Sequence, residues 1–340
     1  MDYKLTIIMS NYNQEQYIEK AIESVLAQKT NFYWQLIITD DNSVKDNSVE
    51  IIKKYAEKYP EKIVALLNKE NGRYLKNVLR AKAITKTPYF TLLDADDYWT
   101  DENYLQNAVD YLDANPDKVI YARNVECLDE SGKKWLFIPE NTPDGDFTME
   151  DYLNNRIVIP QTTGGVFRNV IFAHGIPKIM SDAIGTVHER SFEGDFDRFI
   201  MHLKYGGAHF ENKASGVYRV LSAGIWSRMN TFERHAIQAQ TLVDYDEYFE
   251  HKYARFFIKS AWNALNTAID FIKEKHENTT FSVESQNAFF NALTVCMKHT
   301  DLLQMPVQAE NGPKKLKYRV MLCILRYCQK KLKKYGVIEK

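Results

Sequence analysis

The feature that most constrains this chain is a short apolar run, Tyr89–Leu93, that ends directly in three carboxylates. The run follows Pro88 and has no polar alternation, so it predicts a buried strand. Open α/β sheets place their ligands at the carboxyl ends of their strands. Three acidic groups so close together repel one another unless a cation or hydrogen-bond donors lie between them. The three carboxylates belong to Asp94, Asp96 and Asp97.

Two interpretations of this acidic cluster are open at this point. Mg²⁺ and Mn²⁺ take one or two carboxylates together with phosphate oxygens, so the cluster is suited to a metal-assisted diphosphate site. The alternative is a turn in which an aspartate caps the next helix, because Asp and Asn favour both turns and helix N-caps. The remaining strand ends favour the first interpretation.

The composition indicates an ordinary soluble globular chain. Its 340 residues are 45% hydrophobic and 26% charged, which is enough apolar material for one large domain or two small ones. Four scattered cysteines show neither metal-ligand spacing nor a disulfide framework, which favours a reducing cytoplasm. We expect no signal peptide and, because no apolar run reaches about 18 residues, no membrane-spanning helix.

The first part of the chain alternates strand-like and helix-like segments. Short apolar runs predict the strands, and apolar positions at helical spacing predict the helices between them. This alternation favours a parallel, doubly wound α/β sheet. The predicted strands are 5–9, 34–39, 63–67, 89–93 and 118–123, and the predicted helices are 16–28, 47–58 and 74–83.

Polar clusters follow three of these strands, at 10–13, 40–43 and 94–97. If the sheet is parallel, right-handed crossovers bring all three clusters to the same edge. Each cluster alone could be an ordinary turn, but three at one edge indicate a ligand site. The chain has no GxGxxG and no Walker A loop after its first strand, which disfavours nicotinamide chemistry and P-loop phosphoryl transfer.

Together these segments resemble the family 2 glycosyltransferases, which are nucleotide-sugar enzymes of the GT-A fold. The resemblance implies a GT-A-type doubly wound, mostly parallel sheet over residues 1–229, followed by a helical C-terminal appendage. Within it, we expect a nucleotide-sugar half at about 1–115 and an acceptor half at about 116–229. The stretches that carry the resemblance are 7–13, 37–43, 71–77, 92–99, 192–195 and 217–227.

The resemblance implies binding roles for individual polar residues. Ser10, Tyr12 and Asn13 would line the nucleotide pocket, and Tyr12 is suited to stack on the base. Packing of Tyr12 against the edge of the sheet is the alternative. Asp41 would accept a hydrogen bond from a pyrimidine N–H, as in the selection of uracil, or would instead cap a helix. The other nucleotide-site residues that the resemblance implies are Asn71, Lys76, Asn77, Asp94 and Arg219.

The resemblance also makes Asp94 and Asp96 a DxD pair for Mn²⁺ or Mg²⁺. Asp96 would ligate the metal, and Asp94 would contact the ribose or a metal-bound water. The bond to be broken joins the anomeric carbon of the sugar to a diphosphate, so negative charge grows on the diphosphate. A divalent cation stabilises that charge where it develops.

A second acidic site lies in the segment 189–198, which opens a helix. An inverting transfer needs a carboxylate that takes the proton of the acceptor hydroxyl. By resemblance Asp195 is this catalytic base, and Glu193 and Asp197 are its local competitors. The alternative is that these acids simply favour the first turn of a helix because of its macrodipole.

The sequence departs from the family pattern at Leu221, where a histidine often helps to hold the metal or the diphosphate. An aliphatic side chain cannot ligate a metal, which puts strict metal dependence in doubt. Ser222, His188 or a water could compensate. Trp226 is a candidate for contacts on the acceptor side, or else a core residue.

Strand signals disappear from about residue 231, and helical periodicity takes over as far as the C-terminus. We therefore expect a helical region over 230–340. Its last helix is basic and amphipathic, which predicts either peripheral contact with a membrane through 314–340 or packing on the neighbouring helices. The predicted helices are 231–249, 255–275, 283–299 and 315–334.

The preferred function is an inverting transferase that moves a hexosyl or N-acetylhexosaminyl group from a nucleotide sugar, with UDP as the expected nucleotide. The acceptor would be a hydroxyl of a surface polysaccharide or lipid-linked glycan, reached from the cytoplasm at the inner face of the membrane. We expect no nucleic-acid partner. A catalytically silent sugar-nucleotide-binding module is the alternative that Leu221 favours. A nucleotidyltransferase ranks last, because 10–13 contains neither glycine nor a basic residue.

Overall fold

The computed structural model describes residues 1–303 apart from 158, 193, 225, 276–280 and 300. Over these residues a ten-stranded sheet is covered by helices. The strands are β1 Tyr3–Asn11, β2 Tyr33–Asp40, β3 Ile63–Leu67, β4 Tyr89–Leu92, β5 Tyr98–Trp99, β6 Lys118–Asp129, β7 Lys134–Leu136, β8 Gly145–Phe147, β9 Gly165–Arg168 and β10 Gly207–Val220.

The helices lie between and after these strands, and two short 3₁₀ turns lie at Thr162–Gly164 and Glu189–Phe192. The helices are α1 Glu15–Leu26, α2 Ser48–Lys58, α3 Arg73–Ile84, α4 Tyr104–Ala114, α5 Met149–Leu153, α6 Lys178–Ala183, α7 Asp195–His202, α8 Thr231–Tyr248, α9 Ala254–Lys275 and α10 Val283–Lys298. Each helix predicted before residue 100 is present, with its ends shifted by at most two residues.

The strand order across the sheet is β3-β2-β1-β4-β9-β6-β10-β5, with β7 beside β6 and β8 beside β10. Strands β1 to β4 pair in parallel, as do β6 and β10. Strand β9 runs antiparallel between the two parallel groups. The central sheet is therefore mixed and mostly parallel, which confirms the predicted α/β class.

The apolar run of β1 is continuous because both faces of this strand are covered. Leu5, Ile7 and Met9 pack into one hydrophobic cluster with α1 and α4, whereas Ile8 packs into the other with α3 and α7. Successive side chains of a strand point to opposite faces, so a strand buried on both faces shows no polar alternation. This is the physical reason why the strand could be recognised in the sequence.

The parallel pairing brings the three polar strand ends to one edge of the sheet, as predicted. Asn11 at the end of β1 donates from Nδ2 to Asp40 Oδ1 at the end of β2, at 2.7 Å. Ser10 donates from Oγ to Asp94 Oδ1 beyond the end of β4, at 2.6 Å. The clusters are therefore in direct contact, although they are far apart in the chain.

Five strands were not predicted, namely β5, β7, β8, β9 and β10. Strand β5 pairs with β10, and β9 lies inside a segment in which the sequence showed only short apolar runs. Strands β5 and β9 are too short, at two and four residues, to show a recognisable period. Strand β6 is longer than predicted and continues to Asp129.

The three predicted helices between 231 and 299 are present as α8, α9 and α10. They share one hydrophobic cluster with the preceding part of the chain, in which Phe192 and Phe199 lie with Tyr245 and Phe257. The boundary proposed at 229/230 falls in the irregular segment before α8. The basic helix at 315–334 lies outside the described residues and stays a prediction.

Within the described ranges, no helix combines the length and the apolar character that crossing a membrane requires.

Candidate active site

The acidic cluster begins just after β4, where Asp94 is oriented by two hydroxyl groups. Its Oδ1 accepts from Ser10 Oγ at 2.6 Å and from the Tyr74 hydroxyl of α3 at 3.5 Å. Burial and the negative charge of Asp94 raise the pKa of Tyr74, so this phenol keeps its proton. The orientation of Asp94 is thus set by β1 and α3.

The third carboxylate, Asp97, has a different role from the other two. It is buried, and it accepts from Thr163 Oγ1 at 2.7 Å and from the backbone N–H of Arg219 at 2.9 Å. Burial and the charges of Asp96 and Asp94 hold its pKa well above the usual range. Asp97 therefore ties the acidic loop to β10 and to the 3₁₀ turn at Thr162–Gly164.

Asp96 is partly exposed, unlike the buried Asp97. Burial, and then the like charge of Asp94, raise its pKa to about 6. No side chain within the described ranges donates to its carboxylate, and the Arg219 guanidinium donates instead to its backbone oxygen. Among the described residues, the carboxylate of Asp96 thus has no side-chain hydrogen-bond donor, and the nearby charge of Arg219 opposes the rise of its pKa without cancelling it.

The donor set can be tested against a divalent cation. Among the residues that the structure describes, no group of three or more His, Cys, Asp or Glu side chains is arranged to hold a metal ion. Asp94 and Asp96 offer two carboxylates, which fits Mg²⁺ or Mn²⁺ because these cations take one or two carboxylates and complete their shell with phosphate oxygens and water. The site fits a cation that is shared with a diphosphate.

Asp195 is the first residue of α7, and its carboxylate lies close enough to Asp94 for the charge of Asp94 to act on its pKa. Its Oδ1 accepts from the backbone N–H of Thr162 at 2.7 Å, from the Thr162 hydroxyl, and from the Arg198 guanidinium at 3.2 Å. Burial raises the pKa of Asp195 to about 6, with a further contribution from Asp94, against the opposing charge of Arg198. The structure therefore brings together the two acidic sites that the sequence placed far apart.

Asp197 and Glu193 are the two local alternatives to Asp195 for the role of base. Asp197 is fully buried beside Arg198 and Lys82, so an acceptor cannot reach it. Glu193 lies outside the described residues. Asp195 lies in the first turn of α7, where the helix macrodipole favours an acid, but its carboxylate also accepts from Thr162 of another segment.

The loop after β1 presents Tyr12 to solvent, with 44% of its surface exposed, rather than packing it against the sheet. Asn13 has a φ of 52°, in the left-handed region that Asn tolerates better than most residues. Its N–H donates to Ser43 Oγ at 2.8 Å, and its Oδ1 accepts from the Lys45 N–H at 3.1 Å. Asn13 thus joins the loops after β1 and β2 and leaves Tyr12 exposed.

Asp41 is buried at the end of β2, where its Oδ1 accepts from the backbone N–H of Gly72 at 2.7 Å. It therefore caps the N-terminus of α3, whereas the sequence suggested capping of the helix that follows it in the chain. Burial raises the pKa of Asp41. Asn71 donates to the backbone oxygen of Asp41 at 3.2 Å, so the two residues form one unit.

Asn77 and Lys76 differ in their positions. Asn77 is buried, accepts from Thr39 Oγ1 at 2.5 Å and Asn68 Nδ2 at 2.6 Å, and donates to the Thr39 carbonyl at 3.0 Å. The polar atoms of Asn77 thus bind Thr39 and Asn68 rather than the acidic residues of the site. Lys76 is partly exposed and folds over Gly72, where an added Cβ would lie 2.9 Å from its Cδ.

Arg219 lies beside the acidic loop, as predicted for a diphosphate contact. Its guanidinium lies 4.8 Å from the Tyr17 ring centroid and 4.7 Å from that of Tyr98. These two rings hold the cation next to Asp96, where it lowers the cost of the acidic cluster.

His188 and Ser222, the candidates for compensating ligands, have other partners in the fold. His188 Nδ1 lies 2.7 Å from Asp244 Oδ1 of α8, and Ser222 donates to Glu130 at 3.1 Å. Neither joins Asp94 and Asp96 in a metal-holding group within the described part of the chain. Trp226 is 47% exposed, so the alternative that it is a core residue is wrong.

Sequence reasoning missed Thr162, Thr163 and Arg198, all of which contact the acidic sites. The glycine that follows the two threonines was the available signal. A Cβ on Gly164 would lie 2.1 Å from the backbone oxygen of Arg123, so the turn can approach β6 this closely only with glycine. The contacts of both threonines join residues remote in sequence, and no local pattern reports them.

Comparison with known proteins adds to this geometry. The profile of the family described as Glycosyl transferase family 2 matches residues 6–175, which is half of the chain. An uncharacterized protein of Mycobacterium tuberculosis is 29% identical over 230 residues, which cover 68% of this chain and 62% of that protein. The chain thus matches less than two thirds of that relative's length.

Two further proteins carry more informative descriptions. The minor teichoic acid biosynthesis protein GgaB of Bacillus subtilis is 34% identical over 119 residues, which cover 35% of this chain and 13% of GgaB. The crystal structure of S. aureus TarS residues 1–349 in complex with UDP-GlcNAc superposes with a TM-score of 0.59 at 18% identity. That superposition covers 87% of this chain and 81% of the TarS chain, and it confirms the expected GT-A type of fold.

Proposed function

This chain belongs to glycosyl transferase family 2, and on that premise we propose that it is an inverting transferase that moves a sugar from a UDP-linked donor to a glycan hydroxyl. The observation that carries the proposal is the proximity of Asp94, Asp96 and Asp195 in the fold, where Asp94 acts on the pKa of both other carboxylates. The TarS structure holds UDP-GlcNAc, which supports a hexosyl or N-acetylhexosaminyl group as the transferred sugar.

The nucleotide would lie at the edge where β1 and β2 end. Tyr12 is exposed there and can stack on a base, while Asp41 and Asn71 form the adjoining wall. Asp94 and Asp96 would hold Mn²⁺ or Mg²⁺ against the diphosphate, and Arg219 lies beside them. When bound, the cation would stabilise the negative charge that develops on the leaving group.

Asp195 supplies the base. The acceptor oxygen attacks the anomeric carbon from the side opposite the diphosphate, and the bond from that carbon to the diphosphate oxygen breaks with its electron pair leaving on the nucleoside diphosphate. The acceptor proton passes to Oδ2 of Asp195, because Oδ1 already accepts from Thr162 and Arg198. Attack from the opposite face inverts the configuration of the sugar.

A row of three aromatic side chains, Trp135, Phe137 and Tyr218, supports a glycan as the acceptor. Trp135 of β7 pairs with Cys127 of β6, and Cys127 pairs with Tyr218 of β10, so the side chains of these three paired residues share one face of the sheet. The Phe137 and Tyr218 rings meet edge to face at 6.4 Å. Trp135 is 39% and Phe137 37% exposed. Tyr218 lies near the carboxylates of the site, and burial together with their charges raises its pKa. Exposed aromatic faces suit the apolar faces of sugar rings.

We expect Trp135→Ala to raise the KM for a glycan acceptor about 3- to 10-fold, because one aromatic contact with the sugar chain is lost. Hydrolysis of the donor in the absence of acceptor should be unchanged. The matched control is Tyr33→Ala, which removes an exposed aromatic at the opposite edge of the sheet, where β2 begins. Equal effects of the two variants on acceptor KM would contradict the role of the aromatic row.

A thermal-shift panel of nucleotide sugars tests donor binding. Ligands that bind only the folded state raise its apparent stability by mass action, by about 2.7 kcal/mol at a concentration of 100 Kd. We expect UDP-linked sugars to raise the melting temperature more than GDP- or dTDP-linked sugars, and Mn²⁺ to increase the shift. A panel in which no nucleotide sugar shifts the melting temperature would refute the proposed donor site.

A catalytically silent nucleotide-sugar-binding module is the second candidate, and Leu221 is the observation that favours it. Such a module would give thermal shifts with donor but would release no UDP in the presence of mixed acceptors. Measurement of released UDP on the same samples decides between the two functions.

A further inference from the structure

The contact that fixes the candidate base comes from a residue to which the comparisons assign no role. Thr162, in the 3₁₀ turn before β9, gives both its backbone N–H and its hydroxyl to the same oxygen, Oδ1 of Asp195. The backbone bond measures 2.7 Å. Two donors from one residue fix the position of this oxygen relative to the turn.

Arg198 closes the arrangement from one turn further along α7. Its buried guanidinium donates through one nitrogen to Asp195 Oδ1, at 3.2 Å, and to the Thr162 hydroxyl oxygen. The Thr162 hydroxyl thus donates to Asp195 and accepts from Arg198, so both of its hydrogen-bonding functions are used. The three side chains form a closed triangle.

The triangle is itself anchored. Thr163 donates to Asp97 at 2.7 Å, and the Trp99 indole donates to the carbonyl of Thr163 at 2.8 Å. On the other side, the buried carboxylate of Asp197 lies 4.0 Å from the Arg198 guanidinium. The turn that holds the base is therefore attached to the acidic loop that would hold the diphosphate.

We propose that Thr162, together with Arg198, is a positioning residue that saturates Oδ1 of Asp195 and leaves Oδ2 as the single proton acceptor of the transfer. With three donors on Oδ1, rotation of the carboxylate would break all three bonds and leave the buried Arg198 with only Thr162 and Asp197 as partners among the described residues. No described residue donates to Oδ2. A base fixed in this way meets the acceptor hydroxyl in one geometry, which is the condition for efficient proton transfer.

The charged and titratable groups around Asp195 agree with this assignment. Arg198 faces it from α7, Asp94 from the loop after β4, Tyr74 from α3, and Tyr218 from β10. Arg198 is the only cation among these four groups. Its removal would therefore leave Asp195 beside Asp94 with no compensating charge.

This inference rests on the proposed role of Asp195, and Thr162 variants test it. Thr162→Val keeps the shape but loses both functions of the hydroxyl, so we expect kcat for transfer to fall about 10- to 100-fold, with the KM for donor unchanged. Thr162→Ser keeps the hydroxyl and should restore most of the loss. The control Thr267→Val makes the same chemical change on the exposed side of α9 and should leave kcat unchanged.

The outcomes distinguish a failure of the positioning role of Thr162 from a failure of the proposed base, Asp195. If Thr162→Val melts normally, keeps wild-type kcat and Asp195→Asn is inactive, the positioning role is wrong and the base stands. If Asp195→Asn is also fully active, the proposed base itself fails. If Thr162→Val does not fold, Thr162→Ser and Arg198→Lys replace it in the test. A kcat close to wild type in Arg198→Lys, together with a low kcat in Thr162→Ser, would then overturn the proposal.

Discussion

Replacing Asp195 by asparagine is expected to lower the rate of sugar transfer by about 10²- to 10⁴-fold, which is the usual contribution of a general base. The amide has nearly the same shape and can still accept from Thr162, so the site should keep its form. It cannot take the acceptor proton. Steady-state kinetics with the donor identified by the thermal-shift panel, together with calorimetric donor binding, measures the effect.

Donor affinity should be unchanged in Asp195→Asn, because the proposed role of this residue is towards the acceptor and not the nucleotide. The wild-type rate also has a predicted pH dependence. The pKa of Asp195 is raised to about 6, and the base works only when deprotonated, so kcat should be constant above this pH and fall as the pH drops through it. Full transfer by Asp195→Asn would remove the residue from the mechanism.

Replacing Asp96 by alanine is expected to lower both transfer and donor hydrolysis by about 10²- to 10³-fold, because charge stabilisation on the leaving group would be lost. Asp96 is the carboxylate of the site that lacks a donor from another described side chain, so its loss should disturb the fold little. Rates measured over a Mn²⁺ titration, and after chelation with EDTA, report the effect.

The wild-type rate should depend on the cation, and the residual rate of Asp96→Ala should not. Asp182→Ala, which removes an exposed carboxylate from α6, is the matched control and should behave as wild type. Wild-type activity in Asp96→Ala, at every Mn²⁺ concentration, would show that the metal does not bind through this residue.

The C-terminal helices are more than a separate appendage, because α8 contacts the segment next to the candidate site. Asp244 of α8 accepts from Ser191 and binds His188, and the Tyr245 hydroxyl donates to the carbonyl of Ser191 at 3.1 Å. These contacts support the segment that leads into α7. Helix α8 therefore supports Asp195, the proposed base, through its contacts with His188 and Ser191 earlier in the chain.

Much of the architecture could be predicted because it rests on local patterns. The apolar run of β4, the helical spacing in α1 and the polar residues after each parallel strand are all visible within about ten residues of sequence. The sequence also predicted Asp94, Asp96 and Asp195 as the acidic site residues. Burial of whole strands forces such patterns, so they survive in a single sequence.

The tertiary structure alone decided which partners these acids have. Asn77, expected at the nucleotide, turned out to be tied to Thr39 inside the sheet, and Asp97 to link the acidic loop to β10. The bonds from Thr162 to Asp195 join segments that no periodicity connects. That the acidic residues follow the ends of buried strands could be predicted from the sequence, because strand burial and strand ends are local properties. Only folding decided which of them are open to substrate, since a hydrogen bond between distant segments depends on the position of both.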